Sequence, residues 1–446
     1  MVSIILLAQN SAENVGINLA EISYKAQVTS PLISGDASLI LSERGLSVTT
    51  PFDAVELPFS EMNALNNADY NVTIKADSGD FTFSKLGMQC EPFYLVLCDA
   101  YNKAVLRSLF VKGNPLITAK GQYSYREPDA AAGAQAAFHV YENCVVALPP
   151  DLGARRIPLC FLNALDAGDF TLSLGLDTGE HYTFAKLGYD SAVFKDAIEN
   201  QLLRLREKSL EEIREIDPTL TTAASQQLAK LLLRGTAAPL GQLTEIAPSF
   251  TAALESLLSS SRAAEPYQAF KQLCDLAQIH VGFKKNETNA EAPGENPLNA
   301  ALGALTGEGN PLAVLDGLSG IAADDSEGES AALNPYLLWL IAPSPDGRFA
   351  TVEFAEADTA TFVYRTQGDF AAFARQLSRS LEAIDFKREV IRLTDAELLK
   401  PENASYLMAA KRTAALRLVR SSFVGRVIHT STETWKKKLL ELWASE

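Results

Sequence analysis

The sequence predicts an α+β protein: tandem small antiparallel β-barrel or sandwich modules, each closed by a C-terminal helix, with further helical segments behind them. Three observations predict it. A module-sized stretch recurs at an offset of 100 residues. Within each copy apolar residues alternate with polar ones, the period of a strand with one buried face. Each copy then ends in an apolar stripe at helical spacing.

The repeat is ordered along its whole length. Asn63-Ala64-Leu65 matches Asn163-Ala164-Leu165, Asp69-Tyr70 matches Asp169-Phe170, and Asp77-x-Gly79 matches Asp177-x-Gly179. After one inserted residue, Phe83-x-Lys85-Leu86-Gly87 matches Phe184-x-Lys186-Leu187-Gly188. Tyr70, Val72 and Ile74 alternate with polar residues, as do Phe170, Leu172, Leu174 and Leu176. Asp77-Ser78-Gly79-Asp80 and Asp177-Thr178-Gly179 are hairpin chemistry, since Asp caps a turn and Gly accepts positive φ. In the first copy Phe93, Tyr94, Leu97, Tyr101 and Val105 form the helical stripe, with Pro92 in its first turn. In the second, Phe194, Ile198, Leu202 and Leu205 do so, and the helix runs on until Asp217-Pro218 stops it.

A bent antiparallel meander plugged by one C-terminal amphipathic helix resembles the pleckstrin-homology-like superfold. The resemblance covers roughly residues 22–216 and rests on element order, module size and the repeated helix-entry phrase. It places modules at 22–113 and 120–217. It also implies phosphoinositide binding through Lys and Arg on the first strands and their loop. Here the corresponding turns read Ser42-Glu43-Arg44-Gly45 and Tyr141-Glu142-Asn143-Cys144, which supply no basic cup.

Residues 218–278 read as a helical bridge, with stripes at Leu228, Leu231 and Leu232, at Phe250, Leu254, Leu257 and Leu258, and at Phe270 and Leu273. Strands return at Ile279–Lys284, Tyr336–Ala342, Phe349–Ala355 and Thr361–Arg365, followed by a helix with Phe370, Phe373, Leu377 and Leu381 on one face. This order predicts a degenerate third module over 279–386. Inside it lies an acidic stretch, 286–333, without Lys or Arg, which reads as a flexible loop. The segment 387–446 reads as helical and basic, with twelve Lys and Arg against seven acids in a chain of net charge −16.

The composition, 47% hydrophobic and 21% charged, supports a buried core. The acidic balance argues against general nucleic-acid affinity, which needs clustered cations on phosphates. The apolar run Val2 to Ala8 lacks a basic flank and reads as short for a signal sequence, so a cytoplasmic location is expected. Cys90, Cys98, Cys144, Cys160 and Cys274 form no C-x-x-C pair and read as buried thiols.

No Gly-Lys phosphate loop, G-x-G-x-x-G, G-x-S-x-G or H-E-x-x-H occurs. His139, His181, His280 and His429 lie far apart, with no metal-ligand spacing. Asp69, Asp169, Asp77 and Asp177 read as turn or cap residues, and Lys85 and Lys186 as surface lysines beside a turn. No catalytic residue, metal or cofactor is expected. The chain therefore reads as a non-catalytic scaffold whose modules bind a protein or peptide, by adding a strand at an open sheet edge or seating a helix in a groove. An alternative is a peripheral membrane or anionic-ligand binder acting through Arg417, Arg420, Arg426, Lys436, Lys437 and Lys438. The competing expectation for that segment is a fold-back that buries Leu418, Phe423, Val427 and Trp443.

Overall fold

The computed structural model describes residues 23–127, 130–168, 170–286, 335–355 and 360–445. The acidic stretch read as a flexible loop lies outside these residues, apart from Asn286. So does Asp169.

The first module contains β1 (Ser23–Thr29), β2 (Ser34–Leu41), β3 (Gly45–Thr49), β4 (Ala54–Pro58), β5 (Met62–Ala68), β6 (Asn71–Ala76), β7 (Gly79–Ser84) and α1 (Cys90–Ser108). Its strands lie in the order β4-β3-β2-β1-β7-β6-β5. The second module repeats this with β8 (Ile117–Arg126), β9 (Ala131–Val140), β10 (Cys144–Leu148), β11 (Arg155–Pro158), β12 (Leu162–Ala167), β13 (Thr171–Leu176), β14 (His181–Ala185) and α2 (Asp190–Ile216), ordered β11-β10-β9-β8-β14-β13-β12. The two orders are the same, as the repeat predicts, and are compatible with tandem pleckstrin-homology-like modules.

Local chemistry explains the recurrent phrase at the helix entry. Lys85 and Lys186 adopt φ of 58° and 56°, and Gly87 and Gly188 φ of 58° and 60°. Two left-handed residues flanking a buried leucine turn the chain sharply from strand into helix. Phe93 and Phe194 are fully buried and plug the two cores. Phe93 packs on Tyr24 at 4.9 Å, and Phe194 on Phe184 at 5.6 Å between ring centroids.

The third unit departs from expectation. It contains α3 (Thr222–Leu231), β15 (Ala237–Pro239), α4 (Leu240–Ile246), α5 (Pro248–Ser259), α6 (Ala264–Leu273), β16 (His280–Lys285), β17 (Tyr336–Pro343), β18 (Phe349–Phe354), β19 (Ala360–Arg365) and α7 (Phe370–Ala383). It continues through two short helices, α8 (Glu389–Arg392) and α9 (Asp395–Leu398), to α10 (Ala404–Arg412), α11 (Ala414–Ser422), β20 (Phe423–Ile428) and α12 (Thr432–Trp443). The sheet runs β15-β16-β17-β18-β19-β20, a plain meander without the β1-to-β7 pairing of the other two.

Every residue of β17 and β18 is buried. Leu338 and Leu340 face α3–α6 and α12, while Leu337, Trp339 and Ile341 face α7–α11. The unit is thus a sheet between two helical layers. The expected bridge 218–278 forms one layer, and the expected boundary at 386/387 cuts through a shared sheet, because β20 pairs with β19.

Candidate functional site

An unpaired sheet edge is where this fold can take a partner's backbone, so each edge of the repeated modules matters. In the first module β5 is occupied. Leu65 N–H donates to the Pro150 carbonyl at 2.8 Å, Ala64 and Asp151 form an antiparallel bridge, and Tyr101 Oη donates to the Asp151 carbonyl at 3.4 Å. Cys144, Val146 and Leu148 of β10 bury their outer faces in the first module's core. The joint between the modules is therefore a backbone addition sealed by apolar contact.

In the second module the edges reverse roles. On β11, α7 lies close: Arg379 donates to the Arg156 carbonyl at 3.0 Å, and Arg156 makes two bonds of 2.7 and 2.6 Å to Glu382. The equivalent of β5 is β12, which ends the sheet order with no described strand on its outer side. Asn163, Asp166 and Ala167 are exposed along it, and Phe170 beyond it is 83% exposed.

A second feature is a polar notch in the first module. Lys411 Nζ donates to the Ser60 carbonyl at 3.0 Å, Asn63 Oδ1 at 3.4 Å and Asp77 Oδ2 at 2.7 Å. Burial pushes the Asp77 carboxyl up, but the bonds from Lys411 and Asn63 outweigh it and hold it below its ordinary range. Beside it, the buried Arg412 donates to Tyr101 Oη at 2.5 Å and to the Met408 carbonyl at 3.1 Å. These contacts seat α10 against the first module.

No family model matches the chain, and neither does any curated protein. Among solved structures, one titled "Structure of the Spt16D Pob3N heterodimer" is similar at 12% identity, covering 36% of this chain and 85% of that chain, with a TM-score of 0.16. At that score the likeness supports no inference about function.

The six basic residues singled out in the sequence do not converge. Arg417 bonds the Lys411 carbonyl at 3.0 Å and lies 3.7 Å from Glu127. Arg420 bonds Asp395 at 2.8 Å and also donates to the Val390 carbonyl. Arg426 sits opposite Phe362 in the ladder, on the sheet face covered by α7–α11. Lys436, Lys437 and Lys438 lie on α12, which packs on the other face.

The histidines stay apart as well, and no group of acids, histidines and cysteines suited to a metal exists among the described residues. None of the described helices is long and apolar enough to cross a membrane. Asp77 was legible only as a turn residue. Its recurrence together with Asn63, as Asp177 with Asn163, was the sequence signal that it does more.

Proposed function

We propose that this chain is a non-catalytic interaction scaffold whose second pleckstrin-homology-like module takes a protein partner by strand addition along β12. The observation that carries the reading is the asymmetry between equivalent edges. The edge of β5 already receives backbone from residues 150–151, while that of β12 receives none among the described residues. Backbone bonds would supply affinity, and side-chain pockets on alternate residues would supply specificity.

The partner is a different protein rather than another copy joined in the same way. The internal joint relies on the apolar outer face of β10, whereas the matching positions on β3 are Gly45, Ser47 and Thr49. Five free thiols support a location in a reducing compartment, hence the cytoplasm.

The test uses the partner captured from the native cell, with hydrogen exchange read on the complex. Residues 163–167 are expected to gain protection. Leu165, the repeat of Leu65, carries an outward N–H, and by the pleat so does Ala167. Ala167→Pro removes that donor without removing a ladder bond. It is expected to abolish capture while leaving the melting temperature within about 2 °C, the shift of a well under 1 kcal/mol change. Protection elsewhere with β12 unchanged would reject the reading.

A further inference from the structure

The backbone frame of the notch that holds Lys411 is built twice. One hundred residues beyond Ser60, Asn63 and Asp77 stand Cys160, Asn163 and Asp177. The backbone frame is the same. Asp177 N–H donates to the Phe161 carbonyl at 3.0 Å, as Asp77 N–H does to that of Glu61 at 3.0 Å. The ladder shifts register at the same place in both modules, between Met62 and Ala64 and between Leu162 and Ala164, so Asn63 and Asn163 are the same bulge residue.

Only the first notch is filled. Among the described residues no ammonium or guanidinium lies within ion-pair distance of Asp177. The second notch opens instead into a cavity of about 940 Å³ between the second module, α3–α4 and α7. That volume suits a small ligand or one long side chain. Phe161 and Phe370 form apolar walls, and the carboxylates of Asp177, Glu245 and Asp369 outnumber the cations Lys230 and Arg375. Ser378, buried in the same lining, has a hydroxyl with no hydrogen-bond partner among the described residues.

We propose that this second notch receives a primary ammonium, as carried by a lysine side chain of another molecule, seated against the Asp177 carboxylate and the Cys160 carbonyl beside Asn163. The filled notch shows why the ligand is an ammonium. Three acceptors of different kinds converge on one Nζ, matching its three N–H donors, and no planar pair of acceptors is offered to a guanidinium. The apolar walls accept the four-carbon stem.

The carboxyls differ as the two states require. Asp77, with its ammonium, is held low. Asp177, without one, is pushed up to about 6, chiefly by burial, with Arg375 opposing. The proposal does not depend on strand addition at β12, since Ala167→Pro leaves the notch intact.

The test is a nuclear magnetic resonance titration of the full chain with Nα-acetyl-lysine methylamide, its Nε-acetylated counterpart and n-butylamine. The lysine derivative is expected to bind and the acetylated one not. Asp177→Asn is expected to weaken binding at least about tenfold, a loss of about 1.4 kcal/mol, while Asp77→Asn leaves it unchanged. Butylamine binding as well as the lysine derivative would assign the site to free amines, and weaker binding to lysine within a peptide. Since a folding defect in Asp177→Asn would also lose binding, the Asp177 carboxyl resonance in the unaltered chain is the second readout. Saturation should bring its titration from about 6 down toward the ordinary carboxylate range. Equal binding of the two lysine derivatives, no binding at millimolar concentration, or an unmoved Asp177 titration would overturn the proposal.

Discussion

Two residues of the third unit show how local chemistry limits substitution. A methyl group at Gly282 would lie 2.2 Å from two ring carbons of Trp339. That indole is fully buried and packed on Phe386 at 4.6 Å, so it has no room to yield. Gly282→Ala is therefore expected to cost about 1–3 kcal/mol or more by overpacking, measured by urea unfolding. Near it, His280 Nδ1 lies 2.9 Å from the Gln278 carbonyl, and burial depresses its pKa to about 4. A depressed histidine contributes stability above its unfolded pKa of about 6.5, and loses it as pH falls through about 4. Asp177, lining the same cavity, runs the other way. Its folded pKa of about 6 lies above the unfolded value, so its contribution is full below about 4 and is lost as pH rises through about 6. The two oppose each other between pH 4 and 6.5. Asp177→Asn should unmask the histidine, making stability fall more steeply with acid than in the unaltered chain. Parallel pH profiles for the two proteins would show that Asp177 is not shifted.

At the scale of elements, each repeated module depends on the aromatic that plugs its core. Phe93 and Phe194 have no exposed surface and sit among aromatic rings of the surrounding strands. Truncating either to Ala should cost about 3–5 kcal/mol, and a loss below about 1 kcal/mol would mean that the helix is not the plug. These modules were legible because alternation, turn residues and helical stripes all recur in the same order, at an offset of 100 and, after the inserted residue, 101. In the third unit β16 to β19 were legible too, but β15 and β20, which fall in segments that read as helical, and the arrangement of the sheet were not. A strand-hairpin-strand-helix order is shared by several architectures, and β20 returns to the sheet only after five intervening helices. One clue was present: Tyr336 to Ala342 is apolar without alternation, the mark of a sheet covered on both faces. The notches were half legible. The repeated Asn and Asp were visible, but Lys411 lies 334 residues from Asp77, and no sequence pattern joins them.

The whole molecule is held together by its C-terminal third, which touches all three sheets. Helix α10 is seated in the first module by Lys411 and Arg412. Helix α7 grips the second through Arg156 and Glu382, whose side chains are 5% and 9% exposed. Glu382→Gln would leave Arg156 buried with a neutral partner. It should cost about 3–5 kcal/mol, whereas replacing both residues by apolar ones of similar volume should be closer to neutral. The last segment completes the third sheet. Strand β20 pairs with β19, and α12 covers one face with Trp435, Leu439 and Trp443 buried. The indole N–H groups donate to Thr361 at 2.8 Å and Thr351 at 2.9 Å, so burial leaves neither unpaired. Lys437 and Lys438 stay exposed. Of the four residues expected to be covered by folding back, Val427 and Trp443 are buried, and Leu418 and Phe423 are half-buried. Because ladder bonds and apolar area hold this segment, salt has little to screen. The amides of residues 424–428 and 435–443 should therefore be protected from hydrogen exchange equally at low and at high salt. Protection that disappeared as salt rose would mean that charge, not the sheet and the two indoles, holds the segment in place.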